Sequence, residues 1–396
     1  MGDGRDLTVV QRCRICDLEL NETRNLTLSG LPASAQGFLT KQDLKADKSL
    51  TLDITECSGC GVVQTRNPPV PYFREVIRAS GYSPEMQAHR EQQFKKFLND
   101  YHLTEGRILE VGCGKGENLT IVASLGVESF GIEYGEQSIS YLHQLGLNAA
   151  RVFFDTGDEH VPGAPYDGFI FLNFLEHIPN PREVFAGIHK NLKDQAVGLI
   201  EVPNFDMILE ESMFTEFVSD HIFYFSRNSL KTVLRCNGFD VLECCETWHR
   251  YTISAVVRRR KFVDFSEMTK LTSQLKEAVG QFCEKYQEEK IVVWGAGHQA
   301  LTVMAISGIQ EKVRYVVDSA PFKQNRYTPG THLPIVAPEV FFSDSVGAVL
   351  VIAGSYTQEV CEIIRRRGKN SIKIGVLDGV AVRSVEETAE DLLLRN

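Results

Sequence analysis

Twice along this 396-residue chain an apolar run of strand length breaks into closely spaced glycines and then into a helix-length amphipathic stretch. The first is "RILEVGCGKGE" (107–117) and the second "IVVWGAGHQA" (291–300). Glycine at such a turn lets backbone approach a ligand at the carboxyl end of a strand. After the first turn, "SFGIE", "ARVFF", "YDGFIFL" and "VGLIEV" recur with helix-length spacers, and "DVLECCETW" and "RYTISAVVR" follow as two adjacent strands. After the second come "VRYVVD", "AVLVIAG" and "KIGVLDG". Alternation of this kind predicts an α/β fold, with two mostly parallel sheets covered by helices on both faces.

Breaks in the pattern set the boundaries. "RNPPVP" (66–71) closes a first region. The stretch 264–288 carries Leu271, Leu275, Val279, Phe282 and Tyr286 at helical spacing, behind a capping-box pair Asp264 and Glu267. Three domains are expected, over 1–70, 71–260 and 261–396.

Four of the ten cysteines are paired, Cys13 with Cys16 in "CRIC" and Cys57 with Cys60 in "CSGC". Two C-x-x-C knuckles can turn four thiolates onto one ion, so a structural zinc site is expected in a small N-terminal zinc-binding domain. The intervening segment must then form strands of its own. Cys113, Cys236, Cys244, Cys245, Cys283 and Cys361 read as packed thiols. The net charge of −10, without a dense basic run, argues against a nucleic-acid partner. "VGAVLVIAG" (346–354) is half a membrane span, and "MGDGRDLTVV" has no apolar leader and no myristoylation pattern. The expected setting is cytoplasmic. The expected partner is a small-molecule substrate, with the chain a monomer or weak homo-oligomer.

The first glycine turn has Gly112, Gly114 and Gly116 in a G-x-G-x-G spacing, one residue short of the dinucleotide fingerprint. Glu133 ends the next strand, where a carboxylate can accept both hydroxyls of a ribose. "FFD" (153–155) offers rings to an adenine, and "FLNFLEHIPNP" ends the fourth strand. In Glu110, Gly112, Gly114, Glu133, Phe154 and Asn173, in order and spacing, the chain resembles class I S-adenosylmethionine (SAM) methyltransferases. The resemblance implies Glu110 near the cofactor's amino-acid end, Gly112 and Gly114 under it, Glu133 on the ribose and Asn173 facing the methyl donor.

With the cysteine knuckles and a second Rossmann-like domain, the layout resembles the sugar C-methyltransferases that act on 4-keto deoxy nucleotide sugars. "VDSAPFKQNRYTPGTHLPI" and "DHIFYFS" match that family's stretches most closely. The resemblance implies Lys323, Asn325 and Arg326 on the substrate, His221 with Asp220 before a helix, and His177 lining the site. The chain departs where the family carries Tyr-x-Glu-His, reading Val218-Ser219-Asp220-His221. His298-Gln299 and Gly354-Ser355-Tyr356 replace other family residues. In this reading His221 removes a proton beside a ketone, since a histidine's ordinary pKa of about 6.5 suits a base. Asp220 fixes its charge or orientation, and His177 holds the enolate oxygen or relays a proton. Other small keto or natural-product acceptors are the alternative within the class.

Gly295, Gly297 and Ala300 fit G-x-G-x-x-A, and Asp318 lies where a ribose-binding acid belongs. That pattern supports a different class, an NAD-dependent oxidoreductase. The resemblance gives this domain to the acceptor side, without a nicotinamide.

Overall fold

The computed structural model describes residues 10–21, 25–36, 38–75 and 82–385. The chain divides into two compact units, Met1–Lys261 and Phe262–Asn396.

In the first unit, β1 (Asn25–Leu31) and β2 (Leu50–Glu56), between the two cysteine knuckles, and β3 (Val63–Thr65), just after the second, form an antiparallel sheet. Its fourth strand, Phe223–Tyr224, arrives from far along the chain and pairs with β3. Leu52 and Ile54 of β2 share a core with Phe205, Ile208, Phe217 and Tyr224. The cysteine-bearing region is thus built into the unit that follows it.

The helix α1 (Pro84–Asp100) starts where Ser83 Oγ accepts the Met86 N–H, with proline in the first turn. It buries Phe94, Phe97 and Leu98, and also Arg90. Then come β4 (Arg107–Val111), α2 (Glu117–Ser124), β5 (Glu128–Glu133), α3 (Glu136–Gln144), β6 (Ala149–Arg151) and β7 (Tyr166–Leu172). These are followed by α4 (Pro181–Lys190), β8 (Leu192–Pro203), α5 (Phe205–Glu210), β9 (Phe223–Tyr224), α6 (Arg227–Cys236), β10 (Phe239–Thr247) and β11 (Thr252–Arg259). The sheet order is β10-β11-β8-β7-β4-β5-β6. β8, β7, β4, β5 and β6 are parallel; β11 runs antiparallel to β8, and the edge strand β10 runs antiparallel to β11. From β4 the chain moves outward through β5 to β6, then returns to lay β7 on the other side of β4. The strand order reverses there, and the glycines after β4 sit at the crevice where such sheets bind ligands.

A buried ion pair ties α1 to this sheet. Arg90 and Glu201 have fully buried side chains, and both guanidinium nitrogens reach the carboxylate at 2.7 Å. Gln93 donates to the same carboxylate at 2.9 Å. A pair so desolvated is held by its geometry, because either member alone would be a buried charge.

In the second unit, α7 (Ser266–Lys285) precedes β12 (Ile291–Trp294), α8 (His298–Ser307), β13 (Val316–Val317), β14 (Arg326–Tyr327) and β15 (Pro334–Val336). Next come α9 (Pro338–Ser343), β16 (Ala348–Val351), α10 (Thr357–Arg367), β17 (Lys373–Asp378) and β18 (Ala381–Ser384). The sheet order is β14-β15-β13-β12-β16-β17-β18, parallel except for its two edge strands. α7 buries Val279, Phe282 and Cys283, as its periodicity predicts. The expected capping box does not form. The helix opens at Ser266, and Asp264 accepts the Ser266 N–H instead.

The isolated cysteines also divide. Cys113, Cys283 and Cys361 are packed thiols, but Cys236 and Cys245 are exposed. Cys245 lies on the edge strand β10, and Cys236 ends α6. Among the described residues, no helix is long and apolar enough to cross a membrane.

Candidate active site

At the carboxyl end of β4 the backbone takes positive φ at Gly112, Gly114 and Gly116. A Cβ at Gly112 would collide with the Phe174 ring, while the space beside Gly114 is open. That opening leads to Glu133 at the end of β5. Glu133 Oε2 accepts the Gly114 N–H at 3.0 Å, and Oε1 accepts those of Tyr134 (2.8 Å) and Gly135 (3.1 Å). Three backbone donors hold the carboxylate, while burial raises its pKa. The arrangement fixes an acceptor where a ribose diol can donate.

Glu110 is buried next to it. Asn118 donates to Oε1 at 3.1 Å, but the buried Oε2 has no partner among the described residues. Burial pushes the carboxyl up to about 8. A cationic amine at Oε2 would satisfy the orphan and restore the charged form, so the residue fits the amino-acid end of SAM. Asn173 sits at φ 50°, outside regular structure, with its Oδ1 buried and unpartnered. Its N–H donates to the Glu201 carbonyl at 2.8 Å, which fixes it to the sheet.

Phe154 lines a small cavity with Gly112, Glu133 and Phe153. It is 2% exposed and packs in the core against α4, where a Cβ at Gly187 would strike its ring. Phe153 is the half-buried ring at the surface, edge-on to Tyr134 at 6.1 Å and to Phe174 at 6.5 Å. Strand β6 ends at Arg151, so the alternation of a strand does not turn Phe154 outward.

On the acceptor side, His177 follows a short turn after β7, and His221 lies just before β9. Their rings meet edge to face with centroids 4.9 Å apart. His177 Nδ1 lies 2.8 Å from the Asp220 carbonyl oxygen. A carbonyl only accepts, so Nδ1 carries the proton and Nε2 presents a lone pair. His177 in this neutral form accepts at Nε2 and cannot donate there to an enolate oxygen. Burial lowers the pKa of His177, and burial together with His177 holds His221 down at about 3. The Asp220 carboxylate turns away from its expected place at His221, toward Ala35 and Tyr72. Glu110, Gly112, Gly114, Asn173, His177, Asp220 and His221 all line one cavity of about 320 Å³. Residues expected on the cofactor side and on the acceptor side thus share one chamber.

Sequence reasoning did not single out Tyr72, Asn118 or Tyr224. The Tyr224 hydroxyl bonds the backbone N–H and carbonyl of Val218, at 3.1 Å each. It thereby braces the segment where the family's tyrosine is missing.

The four paired cysteines converge. Their sulfurs lie within 4.8 Å of one another, with Cys13–Cys60 at 3.6 Å and Cys16–Cys57 at 3.5 Å. Four sulfurs about 2.3 Å from one tetrahedral ion would sit about 3.8 Å apart, so the set fits zinc.

In the second unit, Gly295 has φ 123°, and a Cβ there would run into the Ile352 carbonyl. That glycine serves a close strand-end contact. Asp318, the expected ribose acid, is already engaged. Oδ2 accepts the Ala296 N–H and the Lys323 ammonium, both at 2.9 Å, and Oδ1 accepts the Ala320 N–H. Lys323 is therefore a brace for the turn, whereas Arg326 is exposed on edge strand β14 and Asn325 adopts φ 59° just before it.

Comparison with known proteins identifies the class. A methyltransferase-domain family model matches residues 86–244, and the C-methyltransferase C-terminal domain model matches 255–374. The chain is a SAM-dependent methyltransferase. Its matched regions are a methyltransferase domain followed by a C-methyltransferase C-terminal domain. The C-methyltransferase NovU of Streptomyces niveus is 20% identical, over 89% of this chain and 92% of its own length. The ubiquinone biosynthesis O-methyltransferase of Pseudomonas aeruginosa is 31% identical over 22% of this chain and 40% of its own. A SAM-dependent methyltransferase structure from Clostridium acetobutylicum is 9% identical, covering 44% of this chain and 92% of that one at a TM-score of 0.37.

Proposed function

We propose that this enzyme methylates the carbon beside a ketone on a 4-keto deoxy nucleotide sugar, and that a zinc ion on Cys13, Cys16, Cys57 and Cys60 holds its N-terminal region. The observation that carries the reading is the shared cavity, which has Glu110 and the glycine turn at one side and the His177–His221 pair at the other. When bound, SAM supplies an electrophilic methyl group that only an aligned nucleophile can take.

The residues of the chain make that nucleophile. His221, neutral through burial, takes the proton from the carbon next to the ketone. The imidazolium so formed places positive charge beside the enolate, in a site where few water molecules compete. His177 Nε2, an acceptor, can receive a proton from His221 and return it. Glu133 and Glu110 would hold the two ends of the cofactor, and positioning of this kind would supply much of the rate. Lys323, Asn325 and Arg326 are the proposed contacts for the nucleotide sugar. Lys323 would have to release Asp318 to serve in that way.

Solvent hydrogen exchange at the acceptor's α-carbon tests the base directly. It is followed by NMR with S-adenosylhomocysteine bound and a 4-keto deoxy nucleotide sugar present. Wild-type protein should exchange this proton, and His221→Asn should slow the exchange by about 10²–10⁴-fold. Exchange that persists in His221→Asn but disappears in His177→Asn would move the base role to His177.

A further inference from the structure

The buried carboxylate on the acceptor side is held by the cysteine-bearing end of the chain. Asp220 is 2% exposed. Its Oδ1 accepts from the Ala35 N–H at 2.9 Å, from the Tyr72 hydroxyl at 2.9 Å and from Ser219 Oγ at 3.2 Å. Ser34 Oγ in turn bonds the Tyr72 hydroxyl. Ala35 and Gln36 line the cavity alongside His177 and His221. Asp220 Oδ2 is buried and has no hydrogen-bond partner among the described residues. The same residue's backbone carbonyl fixes the His177 tautomer.

Tyr72 is itself well anchored. The neighbouring Phe73 ring stands edge-on to Phe153 at 6.0 Å. Arg74 pairs with Asp155 at 2.6 Å and lies over both the Phe73 and Phe153 rings. Three successive residues therefore join the acceptor side to the cofactor side. Burial raises the Tyr72 pKa, which keeps the proton on the phenol and makes it a donor at working pH.

We propose that Tyr72 is a positioning residue for methyl transfer. With the Ala35 N–H it holds Asp220 so that the Asp220 carbonyl fixes His177 and Oδ2 stays free for the acceptor. The inference rests on the C-methylation reading, and it extends the reaction site into the region between the cysteine knuckles. Position 218 offers no hydroxyl; the Tyr72 hydroxyl reaches Asp220 and the Tyr224 hydroxyl reaches the Val218 backbone, while Tyr82 and Tyr251 line the cavity itself. A hydrogen bond from a neutral donor to a buried carboxylate is among the stronger kinds, so its loss should be felt at the atoms that Asp220 orients.

The test uses the full-length protein, labelled with ¹⁵N-histidine and saturated with S-adenosylhomocysteine. The His177 signals are identified by their loss in His177→Asn. In the wild type His177 should show the Nδ1–H tautomer alone, and Tyr72→Phe should populate both tautomers. With a 4-keto deoxy nucleotide sugar, Tyr72→Phe should lower kcat by about 10–100-fold and leave KM within about twofold. Metal content and SAM affinity should match the wild type. An unchanged tautomer overturns the proposal, as does unchanged kcat despite a changed tautomer. Loss of SAM affinity in Tyr72→Phe would also overturn it, making the phenol a support of the fold. A wild type that does not methylate this sugar counts against the proposed function, and the tautomer measurement then decides the positioning role alone.

Discussion

Burial lowers the pKa of both His221 and His177, and His221, with His177 beside it, is held down at about 3. A base with its pKa near 3 stays unprotonated across the physiological range. The α-carbon exchange rate should therefore remain level as the pH falls from about 8 through about 6.5, and decline only in the acid range. A decline centred near about 6.5 would mean that the base titrates as an exposed histidine, contradicting the buried pair. Stability carries the matching sign. Below about 6.5 the folded chain holds fewer protons on these two residues than the unfolded chain does, so stability falls as the pH falls. Glu110 has the reverse character. Burial raises it to about 8, so the site without cofactor keeps a protonated carboxyl that the cofactor's ammonium can discharge.

Between elements, the Arg90–Glu201 pair fixes α1 on β8, next to the Asn173 turn. Arg90→Leu leaves a fully buried carboxylate without its charge partner and should cost about 3–5 kcal/mol, read as a lower urea midpoint. A loss under about 1 kcal/mol would show that Glu201 finds relief elsewhere. This pair also shows what local pattern conceals. Arg90 and Glu201 lie 111 residues apart, and Tyr72 and Asp220 lie 148 apart, so both contacts are made by folding alone. Glu110, the glycines, Glu133 and Asn173 were legible because they stand at strand ends, where topology decides what a residue faces. Which of Phe153 and Phe154 is the more exposed was not legible, because the strand ends at Arg151, three residues earlier than the apolar run suggests. Asp318 matched a ribose acid by spacing, but Lys323 and two backbone donors occupy it.

At the scale of the whole molecule, the cysteine-bearing sheet is completed by β9, and its loop reaches the acceptor cavity. Metal on the four thiolates should then be integral to the fold. Elemental analysis should find about one zinc per chain, and Cys57→Ser should lose the metal together with cooperative unfolding. A Cys57→Ser protein that retains both would remove zinc from the account. The central claim, carbon methylation beside a ketone, is tested most directly by ¹³C-methyl-labelled SAM, a 4-keto deoxy nucleotide sugar and NMR of the product. The account predicts one labelled methyl bonded to the carbon adjacent to the carbonyl, with the exchangeable α-proton lost from that carbon. A labelled methyl on oxygen or nitrogen, or on a carbon not adjacent to the ketone, would contradict it.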